Sequence, residues 1–358
     1  MTLEDAKTAF LGALETLDPT KLVKAKIRAG TLDDWFEDRH NPKPIHVVAL
    51  GKAAPRMVWG LLEANVPFTG IGVTTPGQKK PSLERFWHVG SHPKPDATSL
   101  AAGQAVFDLV DRLPPEAPVL VLLSGGASAC AEVTDQLDAL QQLPLDLPID
   151  ELNARRAALS EFKAGGLARR ILARTSRVRC WVLNDVAPGQ ERIVGSGPCD
   201  VPEVLHEVLA TSDDLAQAVG AYLQALGHAV DVRPRLAGPV DAAMQRFLAD
   251  WDGATARVAA GEPVVSAPTH APPGGRTSHA ALLASGHIPP GTAFFAAASD
   301  GLDGSTGDAG AWSFAGDQDA DAVAGRRAHA VLAAKGQTLR LGATGTNLND
   351  LWIALPNA

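Results

Sequence analysis

The chain has 358 residues, 46% hydrophobic and 20% charged, which is enough apolar material for roughly two domains and far from a disordered composition. Aromatics make up only 5% while glycine occurs 34 times, a balance that favours α/β layers with tight strand-to-helix turns over an all-β sandwich. The net charge of −8 argues against a dedicated nucleic-acid or anionic-membrane binder, and three cysteines without C-x-x-C spacing argue against a disulfide framework or zinc ribbon.

The acidic start, Met1-Thr2-Leu3-Glu4-Asp5, lacks the apolar stretch of a signal peptide. No apolar run approaches the roughly 20 residues of a membrane-spanning helix. A soluble protein of a reducing compartment, the cytoplasm, is the expectation.

Residues 6–27 read as a helix and a helical turn ending near Gly30. A continuous apolar strand over 45–50 then runs into Gly51-Lys52-Ala53-Ala54 and a helix carrying Met57, Leu61 and Leu62. Short strands follow at 71–74 and 85–89, a helix at 97–113, and a buried strand at 119–123 that feeds a second glycine turn. One long helical region over 152–173 precedes a strand at 178–183. Strands that are apolar on both faces and separated by helices predict a parallel sheet covered on both sides. After Gly197-Pro198 the chain becomes richer in Gly and Pro, and the domain boundary is expected within 202–211. Beyond it, strands at 228–232, 257–265, 293–298 and 339–341 alternate with helices at 215–226, 240–251, 278–284 and 320–334.

Four sets of turns carry polar residues suited to chemistry. At Gly51-Lys52 a helix N-terminus and a lysine can meet an anion, although a lysine opening a surface helix is more often a solvated charge. At Ser124-Gly125-Gly126-Ala127-Ser128 two glycines let a carboxylate or phosphate approach the backbone, and the alternative is simply a tight turn. Asp185 ends a buried strand, where an acid either faces the ligand crevice or caps the next helix. The fourth set is Gly274-Gly275-Arg276, Ser299-Asp300-Gly301-Leu302-Asp303-Gly304 and Thr344-Gly345-Thr346-Asn347. Arg276 suits a planar anion clamp, and Asp300 and Asp303 suit a hard cation shared with a phosphate. His92, bracketed by prolines, reads as structural. Neither a P-loop nor G-x-G-x-x-G after a strand is present.

In this order the motifs resemble the type-2 glycerate kinase family, whose C-terminal half is the MOFRL domain. Val48 to Ala54 is similar to V-x-G-K-A-A, Ser91 to Asp96 to G-H-P-x-P-D, and Leu122 to Ala129 to L-L-S-G-G-G-S-A. Leu159 to Ala168 resembles L-S-x-x-K-G-G-x-L-A, which includes Lys163, and Asp185-Val186 resembles part of S-D-V. The fourth set resembles G-G-R-N-Q, T-D-G-x-D-G and T-G-T-N-V-N-D. The resemblance implies a Rossmann-like parallel-sheet domain over residues 1–205 and a smaller MOFRL-like α/β domain over 206–358, with the active site in the cleft between them.

It further implies phosphorylation of D-glycerate, or a related hydroxy acid, at the 2-hydroxyl by ATP with Mg²⁺. Lys52, Arg276 and Asp185 carry over as catalytic residues. Gly51, Ser124, Gly125, Gly126, Ser128, Lys163, Thr344, Gly345, Thr346 and Asn347 carry over to substrate and nucleotide, and Asp185, Asp300 and Asp303 to the metal. Family members run longer, with a segment after Gly197-Pro198 that is absent here, and S-D-V-x-G-D-D becomes Asn184-Asp185-Val186-Ala187-Pro188-Gly189-Gln190. Two alternatives stand beside the kinase: an oxidoreductase acting on hydroxypyruvate, and a catalytically impaired hydroxy-acid-binding paralogue. The missing G-x-G-x-x-G weighs against the first, and the retained Lys52 and Arg276 against the second.

Overall fold

The computed structural model describes residues 1–36, 43–144, 149–266 and 272–356. The chain opens with α1 (Leu3–Thr16) and α2 (Pro19–Arg28). There follow β1 (Ile45–Leu50), α3 (Ala54–Glu63), β2 (Phe68–Thr74), β3 (Trp87–Val89), α4 (Ala97–Asp111), β4 (Val119–Leu123), α5 (Ala127–Cys130), α6 (Leu137–Gln142), α7 (Ile149–Ala158), α8 (Gly166–Leu172), β5 (Val178–Asn184) and β6 (Leu205–Thr211). The remainder comprises α9 (Ser212–Ala225), β7 (Val230–Val232), β8 (Leu236–Pro239), α10 (Val240–Leu248), β9 (Ala256–Val264), α11 (Arg276–Ala284), β10 (Ala293–Ala298), β11 (Gly310–Phe314), α12 (Ala320–Ala324), α13 (Ala328–Ala334), β12 (Thr338–Leu339) and β13 (Asp350–Leu355).

The first six strands form one parallel sheet in the order β3-β2-β1-β4-β5-β6. This is the doubly wound order of dinucleotide-binding sheets, and the winding reverses between β1 and β4. Val47 to Leu50 of β1 and all of β4 are buried, which explains the unbroken apolar runs: helices cover both faces. The core joins Val48, Leu50, Val121 and Leu123 to Val106, Phe107 and Ile171 from the helices and to Phe162 from the stretch between α7 and α8.

The second sheet is mixed, in the order β12-β11-β10-β13-β9-β7, with β8 also paired to β9. Its centre is antiparallel, whereas β7 and β8 run parallel to β9. Phe247, Phe294 and Trp352 meet edge to face in its core.

The chain divides into two compact units that differ from the expected division at 205/206. A parallel-sheet unit takes Asp18–Thr211 with Gly345–Asn347, and a mixed-sheet unit takes Met1–Leu17, Ser212–Thr344 and Leu348–Ala358. The C-terminal side of the boundary lies later than residue 205 because β6 hydrogen-bonds to β5 as the sheet's sixth strand. The first helix sits with the mixed-sheet unit because its apolar face is completed there. Ala6, Ala9, Phe10 and Ala13 are buried, Phe10 lies 6.0 Å from Phe295, Lys7 covers Trp312, and Asp5 faces His228 at 3.2 Å.

The helix expected over 152–173 is broken. Ala164 and Gly165 take left-handed φ values of 46° and 80°, and their N–H groups donate to Ser196 and Gly197 carbonyls instead of continuing a helix. Likewise 320–334 splits into α12 and α13 at Gly325-Arg326. Strands β6, β8, β11 and β13 lie outside the sequence expectation; β13 is buried along its whole length, so its apolar run carries no periodicity to mark it. The three cysteines are free and buried. Among the described residues no helix is long and apolar enough to cross a membrane.

Removing the Phe10 ring should cost about 3–5 kcal/mol of stability in the mixed-sheet unit. Amide exchange on Phe10→Ala is the check: protection should fall in β10 and α9 and stay unchanged in β1 and β4. Equal loss in both sheets, or none, contradicts the assignment of α1.

Candidate active site

The carboxyl ends of β1 and β4 flank the point where the winding reverses, the position at which open α/β sheets bind ligands. The two turns there are stitched to each other. Ser124 Oγ donates to the Leu50 carbonyl at 3.2 Å and accepts from Ala53 N–H at 3.0 Å, while Lys52 N–H donates to Gly125 O at 2.9 Å. Gly51, at φ 106°, has no room for a Cβ because Ser124 O lies in its place. Ser124 is fully buried and its hydroxyl is occupied by this stitch, so it shapes the turn rather than offering itself to a ligand, contrary to its expected role. Lys52 is half-buried, and its stem lines up with Thr75 and His92 around Gly126. Ser128 Oγ accepts from Arg156 at 3.4 Å.

At the end of β5, Asn184 Oδ1 accepts from Val186 N–H at 2.9 Å and closes a local turn, with Asp185 half-buried beyond the strand. Asn347 Nδ2 donates to Asp185 Oδ2 at 2.8 Å. Both side chains press on Gly125 so closely that any Cβ there would overlap the carboxylate and the amide. Gly125, Asp185 and Asn347, distant in sequence, thus form one packed group. The Thr344–Asn347 turn expected to act as a piece is divided between the units. Thr344 belongs with the Asp300 loop, donating its hydroxyl to Ser299 O at 2.6 Å and its N–H to Asp300 O at 3.1 Å. Gly345 lies against Arg56, and Thr346 is buried.

Lys163 does not reach a ligand surface. Its side chain is buried and ion-paired with Glu132, which also accepts from Ser160 Oγ. Burying two charges is costly, and the pair persists because each neutralises the other. Lys163→Met alone should therefore lower stability by about 3–5 kcal/mol, whereas Lys163→Met joined with Glu132→Leu should come much closer to neutral. Urea unfolding of both variants decides this; equal losses would contradict a mutually compensated pair.

In the mixed-sheet unit Arg276 opens α11. Its Nε and Nη2 donate to Asp350 at 2.8 and 3.3 Å and Nη1 donates to Glu262 at 2.7 Å, leaving two of its five N–H groups for an incoming anion. Burial lifts the Asp350 carboxyl to about 6, with Arg276 acting in the opposite direction. Nothing in the local sequence marks either acid as an anchor, although Asp350 closes the Asn347-Leu348-Asn349-Asp350 run. Asp303, expected at a metal, is buried and caps α11: its two oxygens accept from Thr277 and Ser278 N–H at 2.9 and 3.0 Å. Asp300 accepts from Leu302 N–H at 3.0 Å. Among the described residues no three His, Cys, Asp or Glu side chains gather into a metal-holding group.

Beside Arg276 lies a cavity of about 180 Å³ lined by Gly274, Gly275, Arg276, His279, Arg326 and His329, among others. His279 is 3% exposed, and burial first, then the Arg326 charge, push its imidazole down to about 4. A histidine kept neutral by the fold contributes stability that is complete above its unfolded value near 6.5 and disappears as pH falls through about 4. The contribution is about 3 kcal/mol. Urea midpoints measured at pH 7.5 and 4.5 should fall less steeply in His279→Gln than in the unsubstituted protein; parallel slopes would contradict it.

A family model described as a domain of unknown function, DUF4147, matches residues 5–219, and a MOFRL family model matches residues 255–350. The chain is 29% identical over 227 residues to the D-glycerate 2-kinase of Thermotoga maritima, covering 58% of this chain and 52% of that protein. It is 30% identical over 203 residues to a glycerate 2-kinase of Pyrococcus horikoshii, covering 54% and 43%. Two matches from Agrobacterium vitis carry a provisional hydroxypyruvate reductase name. The alignment thus spans about half the length of the relatives that the chain matches. The crystal structure of a glycerate kinase from Thermotoga maritima superposes with a TM-score of 0.77 at 23% identity, covering 99% of both chains, which shows a shared fold. The chain belongs to the DUF4147 family with a MOFRL domain behind it, the type-2 glycerate kinase family.

Proposed function

We propose that this protein transfers the terminal phosphoryl group of ATP to the 2-hydroxyl of D-glycerate. The observation that carries the reading is the group at the winding reversal: Lys52, the Gly125 turn and the Asn347-held Asp185, all at the carboxyl ends of β1, β4 and β5. Relatives named as glycerate 2-kinases support the substrate.

In the transfer, the glycerate hydroxyl oxygen forms a bond to the γ-phosphorus as the bond to the ADP oxygen breaks, and the hydroxyl proton is released. Such a step needs little covalent help and much neutralisation of charge on the transferring group. In the parallel-sheet unit Lys52 supplies positive charge; in the mixed-sheet unit Arg276, held in orientation by Asp350 and Glu262, keeps two N–H groups for an anion. Asp185 accepts a hydrogen bond from the attacking hydroxyl, its carboxylate fixed by Asn347. Mg²⁺ borne by the nucleotide needs only one or two protein carboxylates, the rest of its shell being phosphate and water. Asp185, half-buried, fits that requirement and would hold the ion, whereas Asp303 is committed to α11. When bound, the ion adds to the neutralisation of phosphate charge.

The hydroxypyruvate reductase reading draws on the strand order and on the Agrobacterium vitis names. Against it, the turn after β1 carries Lys52 where a dinucleotide's pyrophosphate approaches over glycine. A coupled assay with D-glycerate, ATP and Mg²⁺, run beside hydroxypyruvate with NADH, should show turnover only in the first. Lys52→Ala and Arg276→Ala should each lower kcat on the order of 100-fold or more with folding retained. Normal turnover in both variants, or NADH oxidation in place of kinase activity, overturns the proposal.

A further inference from the structure

We propose that the Arg156 guanidinium binds the carboxylate of the hydroxy-acid substrate, at the Ser128 end of the glycine turn after β4. The inference rests on the kinase reading for the substrate's identity, and it adds a residue outside every motif read from the sequence. Arg156 lies on α7, and its Nη1 donates to Ser128 Oγ at 3.4 Å. The same short turn carries other candidate groups: Gly125 lies under Asp185 and Gly126 beside the Lys52 stem. In glycerate the carboxylate is bonded to the carbon that bears the 2-hydroxyl. A group that reads the carboxylate must therefore stand next to the group that holds the hydroxyl, and Arg156 meets the turn that lies against Asp185.

The two arginines of α7 differ in a telling way. Arg155, on the exposed face, is paired with Glu151 one turn earlier. Arg156 is half-buried, and no carboxylate pairs with it among the described residues. Burial pushes its guanidinium down from its ordinary value, although an arginine stays charged. A half-buried charge without a counter-charge is a cost that folding alone does not return. Of its five N–H groups the Ser128 bond uses one, and among the described residues none of its nitrogens is both sealed from solvent and without a partner. The remaining donors are open to a ligand, and their planar fork matches the two oxygens of a carboxylate. The fold also holds α7 so as to present them. Leu152 is buried, and Asn153, on the same face one turn before Arg156, accepts from Ser196 Oγ at 2.8 Å. Ser196 takes a left-handed φ of 62°, and a Cβ on neighbouring Gly195 would come within 2.8 Å of Ala127 Cβ. The loop at 191–197 thus links α7 to the residue that precedes Ser128.

Isothermal titration of the whole chain with D-glycerate, glyceramide and ADP tests this, the glycerate titrations being run with and without ADP. Glyceramide keeps both hydroxyls and replaces the carboxylate by an uncharged amide. The unsubstituted protein should prefer D-glycerate. In Arg156→Met that preference should shrink roughly 10- to 100-fold, the loss expected for a charged hydrogen bond, with ADP binding unchanged. Arg156→Gln, which keeps donors but no charge, is the second variant and should lose the same preference. Removing a half-buried charge that has no partner should leave the melting temperature no lower, which separates lost recognition from lost folding. An unchanged preference in both variants, weakened ADP binding with D-glycerate unaffected, or no binding of D-glycerate by the unsubstituted protein at millimolar concentration overturns the assignment. The readout is binding alone. Absent phosphoryl transfer, with the preference lost in the variants, would sink the kinase proposal and leave this site standing; transfer with the preference retained would do the reverse.

Discussion

The hydroxyl of Ser124, bonded to Leu50 O and Ala53 N–H, is the interaction on which the candidate site depends. Parallel strands end in diverging turns, and at the winding reversal the turns after β1 and β4 leave toward opposite faces of the sheet. Ser124 and the Lys52 N–H to Gly125 O bond hold them together, and this sets Lys52 beside Gly126 and leaves Gly125 under Asp185. A hydroxyl that looks like a ligand contact in the sequence is a structural joint, and the ligand-facing groups are positioned by it.

A similar economy governs the acids. This is an acidic chain, yet its buried carboxylates are committed internally: Glu132 to Lys163, Asp303 to the start of α11, Asp350 to Arg276. Each such commitment either neutralises a buried charge or satisfies helix N–H groups that would otherwise be orphaned. Each unit also carries a cation among its candidate residues, Lys52 after β1 in the parallel-sheet unit and Arg276 at the start of α11 in the mixed-sheet unit. Charge of that sign is what a phosphoryl group requires.

The chain also passes between its two units more than once, at residues 17/18, 211/212, 344/345 and 347/348. Three residues, Gly345–Asn347, leave the mixed-sheet unit to join the parallel-sheet unit, and one of them orients Asp185. The first helix makes the reverse assignment because Phe10 finds its partner in Phe295. A boundary drawn along the sequence cannot represent either excursion, since both are decided by which surface completes an apolar face or a hydrogen bond.

By itself the sequence determined the α/β class, the parallel strands at 45–50, 119–123 and 178–183, and the glycine turns at their ends, because continuous apolar runs punctuated by glycine are local signals. It also determined which residue types stand at those turns. Tertiary structure alone decided their roles. Ser124, Lys163 and Asp303 are polar residues in suggestive motifs that packing turns into a stitch, a buried ion pair and a helix cap. Asp350 and Arg156 became informative only once the fold set one against Arg276 and the other against Ser128. Hydrogen-bond partners and burial are properties of residues far apart in the chain, whereas a motif records only the neighbours along it.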